Sequence, residues 1–264
     1  MDILQTVVMG LVQGATEFIP VSSSGHLVIA QHFMKIAPDH LFLEYINIGT
    51  LLALITYYRR EWRQLVKDIF EQKKYSLAVN IVLTSLPAGL IGFFLADFID
   101  GSSFFVSVYV VLVTLPTIGV VMIILERLSH ARSVMRMEEL SWYSALTIGF
   151  AQVLALIPGV SRSGSTIIAG RLVGLTSSEA ARYSFMASLP IMLAVSVKLF
   201  LKSSDRLYFI DHMPAIVISN VVAFVAGVSA ISFLMRYLSG HSLALFGWYR
   251  IILSIAVLSM LLIL

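Results

Sequence analysis

The sequence predicts an all-α integral membrane protein: one membrane domain over residues 1–264, with six transmembrane helices and two re-entrant helix pairs in an inverted-topology repeat. Three observations carry that prediction. Hydrophobic residues make up 58% of the chain and charged residues 12%, and the mean hydropathy of +0.91 is too high for a soluble domain. Six stretches are long enough to cross a bilayer as helices, which takes about 20 apolar residues each. Two further apolar regions are interrupted at their centres by Pro, Ser and Gly.

The first interrupted region, residues 3–36, reads as two half-helices meeting at a loop. Such broken backbone survives in a bilayer only where protein or water surrounds it. Spans follow at 41–58, 77–97 and 104–125. The loop 59–74 carries Arg59, Arg60, Arg63, Lys67, Lys73 and Lys74, and the loop 126–140 carries Arg127, Arg132 and Arg136. Both are cytoplasmic by the positive-inside rule, and the turn between them, at 97–103, holds acids without Lys or Arg and faces outward. The second interrupted region is 142–173, and the last spans are 180–201, 213–236 and 243–264. This order puts Lys202 and Arg206 outside, accompanied by Asp205 and Asp211.

Composition also excludes functions. With no cysteine there is neither a disulfide framework nor a thiolate nucleophile or metal ligand. The pI near 9.2 comes from basic residues in the loops between spans, where membrane orientation accounts for them, so no nucleic-acid partner is expected. No segment with a basic start, a short apolar core and a small-residue cleavage site precedes the first motif, and no removed signal peptide is expected.

An internal repeat relates the two interrupted regions. Residues 10–30 align without a gap on 149–169, with identities at Gly10/Gly149, Gln13/Gln152, Val21/Val160, Ser22/Ser161, Ser24/Ser163, Gly25/Gly164, Ile29/Ile168 and Ala30/Ala169. Three spans separate the two regions, so the first enters from outside and the second from the cytoplasm. This is the inverted arrangement in which both loops meet near the midplane, with pseudo-repeats of about 1–125 and 126–264.

The polar residues concentrate at those loops, in PVSSSGH at 20–26 and PGVSRSGST at 158–166. Gln13 and Glu17 are four residues apart and share one helix face. An intramembrane carboxylate there either pairs with Arg or Lys to hold helices together or binds a metal, since Mg2+ is usually held by one or two carboxylates with phosphate oxygens and water. Gln13 can add a neutral carbonyl oxygen. Among Ser22, Ser23 and Ser24, one serves as the ordinary helix N-cap. A serine three residues before His26 can form a nucleophile and general base, or the histidine can itself attack phosphorus.

In the second string, Ser161, Arg162, Ser163, Ser165 and Thr166 crowd a helix start, where backbone N–H groups bind phosphate. Arg162 either forks onto phosphate or pairs with Glu17; both alternatives draw the loops together. Glu44 and Asn47, on adjacent turns of the first full span, either line the site or are solvated at a helix end. Arg250, in GWYR, is expected to snorkel to the cytosol.

At these strings the chain strongly resembles the bacterial undecaprenyl-pyrophosphate phosphatases, the bacitracin-resistance family. The residues that carry the resemblance are QGATEFIPVSSSGH at 13–26 and PGVSRSGST at 158–166, with LEYINIGTLLAL at 43–54 and the WYR near the end. The resemblance implies a multi-pass enzyme of the bacterial plasma membrane that removes one phosphate from undecaprenyl diphosphate. The product monophosphate is the lipid carrier for wall polymers, and its recycling confers bacitracin resistance. It further implies a site open to the outer face and a divalent cation, Mg2+ or Ca2+. Carried over by position, Gln13 and Glu17 bind metal, Ser23 and His26 supply nucleophile and base, and Ser161, Arg162 and Thr166 hold the diphosphate. The crowded hydroxyl of Ser163 belongs to the same substrate-binding group. Many family members carry Glu where this chain has Gln13, so weaker metal binding is expected.

The competing class is a lipid-phosphate flippase, because inverted repeats with broken midplane helices also suit alternating access. Pure translocation would need Arg162 and the helix starts but not a Ser, His and Glu beside them. A homodimer is compatible with the sequence.

Overall fold

The computed structural model describes residues 1–129 and 134–263, without the side chains of residues 100, 128 and 129. Arg132, counted above in a basic loop, lies outside the described residues. The described chain is helical throughout, and its only extended pairing is an isolated bridge between Met135 and Leu175.

The N-terminal half contains a short pair, α1 (Ile3–Glu17) and α2 (Ser23–Phe33), then α3 (His40–Tyr57), α4 (Arg59–Phe70), α5 (Ser76–Phe94), α6 (Ala96–Gly101) and α7 (Val108–Ser129). The C-terminal half contains the pair α8 (Trp142–Val153) and α9 (Arg162–Leu172), then α10 (Ser177–Leu201), α11 (Ser203–Asp211), α12 (Met213–Leu238) and α13 (Ala244–Ile263). Among the described residues six helices, α3, α5, α7, α10, α12 and α13, are long and apolar enough to cross a membrane. They match the six spans expected from hydropathy to within a few residues. The largest shift is at α7, which starts at Val108 rather than at 104 because Ser103–Val106 winds as a 3-10 turn under a Ser102 side-chain cap.

One expected loop is a helix. The charge of residues 59–74 predicts a connection, yet Arg59–Phe70 forms α4, with Trp62, Leu65, Val66, Ile69 and Phe70 recurring at helical spacing among the cations. The connections expected at 97–103 and around Lys202 likewise contain short helices, α6 and α11.

Each short pair packs on helices of the other half. Helix α1 runs along α12 and α8 along α5, while α7 and α13 pair with each other. Close approach is built into the sequence: a methyl at Gly10 or Gly14 would meet the backbone of Ser219 or Ala223, and one at Gly149 would sit 2.7 Å from the Thr84 carbonyl.

Buried polar side chains then bond backbone across the joints. Asn80 donates to the Leu140 carbonyl at 2.7 Å, and Thr84 donates to that of Ala145 at 2.8 Å. Proline at position 116 of α7 cannot donate to the Leu112 carbonyl, and Ser254 of α13 does so instead at 2.8 Å.

Candidate functional site

Both short pairs break in the same way. Ser22 and Ser161, equivalent in the repeat, have φ of +77° and +80°, a region that L-residues enter at a cost of about 1–3 kcal/mol. In each case the serine hydroxyl caps the following helix, accepting from Gly25 N at 3.2 Å and from Gly164 N at 3.0 Å. The expected N-cap among the three serines is therefore Ser22, and Ser24 lies 3.2 Å from it, oxygen to oxygen. Gly159 sits at φ +86° with the Thr114 side chain against its α-carbon, so no side chain fits there. Thr114 in turn donates to the Pro158 carbonyl at 2.7 Å, tying the second loop to α7.

These turns place the first helical residues, Ser23 and Arg162, on either side of Glu17. The Arg162 guanidinium donates to Glu17 Oε1 at 2.6 Å, with side chains 20% and 11% exposed. The Ser23 hydroxyl donates to Glu17 Oε2 at 2.5 Å. Gln13 Nε2 donates to the same oxygen at 3.0 Å and to Asn47 Oδ1 at 2.6 Å. Asn47 thus lines the cluster, whereas Glu44 pairs with Lys198 at 3.8 Å on the protein surface. Ser163 donates to the Glu17 carbonyl at 3.3 Å, a second link between the loops.

His26 is held differently from the expected serine–histidine dyad. Its Nδ1 lies 2.7 Å from the Ser22 carbonyl and its Nε2 lies 2.8 Å from the Tyr249 hydroxyl. A carbonyl only accepts, so in the neutral imidazole Nδ1 carries the hydrogen and Nε2 accepts from Tyr249. The two rings stack in parallel with centroids 5.7 Å apart. Ser23, one residue after the cap, is turned to Glu17 instead.

Two residues are used in ways the sequence did not suggest. Arg250, expected to snorkel, is wholly buried. It donates to the Pro20 carbonyl at 2.8 Å, to Gly159 at 2.9 Å and to Val160 at 3.2 Å. One guanidinium therefore ties the first loop to the second, because the loops present outward-turned carbonyls where their helices break. Thr166 is committed to packing: its hydroxyl donates to the Arg162 carbonyl at 2.8 Å and meets Ser184 at 2.6 Å. Ser161 is engaged as a cap, with Ser163 3.2 Å away. Of the expected phosphate ligands, Arg162 alone presents its charged end to the cluster.

The repeat is chemically one-sided. Gln152, the mate of Gln13, is 2% exposed, and neither of its amide atoms has a hydrogen-bond partner among the described residues. Where Gln13 finds Glu17 and Asn47, the equivalent positions are Leu156 and Met186. Only the first pair carries the carboxylate.

Among the described residues no group of three His, Cys, Asp or Glu side chains forms a ready metal cage. Glu17 Oε2 and Asn47 Oδ1 both face Gln13 Nε2, and with that amide turned over the three would present the sparse oxygen set that suits Mg2+ when a phosphate supplies the remaining ligands.

Comparison with known proteins places these features in one family. Residues 6–256 match the family described as bacitracin resistance protein BacA. The "Undecaprenyl-diphosphatase" of Nitrosomonas europaea is 35% identical over 251 residues, 94% of this chain and 91% of that protein. The "Undecaprenyl-diphosphatase 1" of Clostridioides difficile is 35% identical over 266 residues, covering 98% and 96%. That of Stutzerimonas stutzeri, with the same name, is 36% identical over 251 residues, covering 94% and 90%.

Proposed function

Because this chain belongs to the bacitracin resistance protein BacA family, we propose that it is a membrane phosphatase converting undecaprenyl diphosphate to undecaprenyl phosphate and inorganic phosphate. The observation that carries the reading is the meeting, at Glu17, of a hydroxyl and a guanidinium delivered by two loops 139 residues apart in register, at 2.5 and 2.6 Å. A diphosphate entering this cluster would exchange the Glu17–Arg162 contact for a fork of Arg162 N–H groups on phosphate oxygens. The starts of α2 and α9 add positive backbone dipole to the same place.

Ser23 is then the attacking group. Its oxygen bonds to the terminal phosphorus, its proton passes to Glu17, and the bond from phosphorus to the bridging oxygen breaks to expel the prenyl monophosphate. Water attacks the phosphoserine, releasing inorganic phosphate and restoring the serine hydroxyl. Arg162 stabilises the charge that spreads over the transferring phosphoryl oxygens. His26, held by Ser22 and Tyr249, orders the turn beside Ser23 and offers Nε2 for proton exchange once Tyr249 swings away. Glu17, Gln13 and Asn47 would hold a divalent cation, Mg2+ or Ca2+. When bound it would offset diphosphate charge.

The lipid tail has a path beside this headgroup site. An apolar groove between α1 and α12, lined by Leu11, Ala15, Ile19, Val222, Ala226 and Phe233, ends at Ile19, two residues from Glu17. The matching breaks at Ser22 and Ser161 support reading α1–α2 and α8–α9 as re-entrant pairs of an inverted repeat. The basic residues of α4 support a cytoplasmic position for that helix, and the reading takes the site to open to the opposite face. Release of the carrier for wall synthesis would underlie bacitracin resistance.

The test is phosphate release from a prenyl diphosphate by the purified chain, with and without Mg2+ or Ca2+, beside Arg162→Ala. Cation-dependent release lost in Arg162→Ala is expected. No release from folded protein with any cation would overturn the reading and turn it toward transport of a lipid phosphate through the same loops.

A further inference from the structure

Among the described residues, the only helix of twelve or more residues with no buried residue is α4, between the spans α3 and α5. At about 100° per residue, its side chains sort into four sectors. Trp62, Leu65 and Ile69 form one, half-buried, and the first two pack against the main hydrophobic core. Val66 and Phe70 form a neighbouring ridge that faces away from the protein, 53% and 79% exposed. Beside that ridge come Arg63, Lys67 and Arg60, with Arg59 in line with the ridge at the helix start, all exposed. The acids Glu61 and Asp68 fall on the opposite side with Gln64, which donates to Asp68 at 2.8 Å.

The cations are not spent on the protein. Arg60, Arg63 and Lys67 make no ion pair with a described residue. Arg59 donates one N–H to the Thr56 carbonyl at 3.1 Å and keeps its charge unpaired. Lys73 and Lys74 add two more positive charges just beyond the helix.

We propose that α4 is a lipid-binding helix that lies in the membrane surface, inserts Val66 and Phe70 at the headgroup boundary, and binds acidic phospholipid headgroups with Arg59, Arg60, Arg63 and Lys67. The occupant follows from placement and charge. A helix anchored at both ends to spans is confined to the bilayer surface. Apolar side chains bordered by an unbroken row of cations, with the acids on the far side, match the layered chemistry of an anionic leaflet. A soluble acidic partner would leave Phe70 without an apolar contact.

The chain has no cysteine, so single labels are clean. Nitroxide labels at Val66→Cys, Phe70→Cys and Gln64→Cys are placed in the full chain, reconstituted in phosphatidylcholine vesicles with and without phosphatidylglycerol. Labels at 66 and 70 should be reached by oxygen and shielded from a water-soluble nickel reagent, and the label at 64 should show the reverse. Phosphatidylglycerol retained on the detergent-purified protein is then compared with phosphatidylcholine by native mass spectrometry.

The variant Arg60→Gln, Arg63→Gln, Lys67→Gln should lose affinity for phosphatidylglycerol on the order of 100-fold, from roughly fivefold per charge near a surface, and keep its thermal unfolding profile. A label at 70 exposed to water in both vesicles would overturn the proposal and leave the face to a soluble partner. Equal retention of the two lipids, or equal retention by the variant, would overturn it as well. None of these readouts depends on phosphatase activity.

Discussion

Replacing Arg250 with Met removes a buried positive charge while keeping most of the side-chain volume. It strips the donors from three carbonyls, Pro20, Gly159 and Val160, at 2.8, 2.9 and 3.2 Å. An unsatisfied buried acceptor costs about 1–3 kcal/mol, and bonds to charged donors sit at the upper end. Three of them would give about 3–9 kcal/mol, offset in part because an unpaired guanidinium no longer has to be desolvated. Loops can also turn a carbonyl toward water. The low end, about 3 kcal/mol, is therefore the expectation. If that cost falls on the two loops, the ratio of joined to separated loops falls roughly 100-fold. Hydrolysis of a prenyl diphosphate at saturating substrate, measured with thermal unfolding in detergent, should show kcat down by about two orders of magnitude and a lower Tm. Arg250→Lys should recover little, because one ammonium cannot span carbonyls from both loops. Wild-type kcat and Tm in Arg250→Met would refute the idea that this side chain joins them.

Three further outcomes follow from the same geometry. Ser254→Ala removes the donor that replaces the missing Pro116 N–H at the Leu112 carbonyl, and should lower stability by about 1 kcal/mol with kcat unchanged; thermal unfolding beside phosphate release checks both. Gln13→Glu puts a second carboxylate beside Glu17, so the Mg2+ concentration for half-maximal activity should fall several-fold, read from a cation titration. Tyr249→Phe keeps the ring stacked on His26 and deletes the hydroxyl at Nε2; kcat should change more than KM, and a KM effect alone would mean that Tyr249 only shapes substrate entry.

Much of the architecture could be read from the chain because lipid imposes a coarse rule. A span must be long and continuously apolar, so hydropathy finds α3, α5, α7, α10, α12 and α13 within a few residues. Glu17, Arg162 and Ser23 were legible for a related reason: polar groups in apolar surroundings must meet, and the repeat said where. Helix α4 was hidden because its charge reads as a loop when counted, and only its spacing reveals a helix. Nothing near Arg250 distinguishes snorkelling from burial, since its partners are carbonyls at positions 20, 159 and 160. Tyr249 was overlooked for the same reason. Its partner is 223 residues away, and a tyrosine in a span ordinarily faces lipid. Thr166 misled in the opposite direction, its hydroxyl being satisfied by Ser184 rather than left for phosphate.

The packing of each short pair on the opposite half carries a consequence for how the molecule is made. During synthesis α1 and α2 leave the ribosome first, but α12, along which α1 lies, follows about two hundred residues later, and the arginine that ties the loops later still. Until then α1 lacks the helix along which it packs, and the two loops lack the guanidinium that joins them. The early segments must therefore wait in a provisional arrangement, partly wetted or held by an insertion factor. Catalytic competence cannot build up gradually along the nascent chain. It should arrive in one late step, when α13 docks, and fragments ending before that helix should yield membrane-inserted but inactive protein.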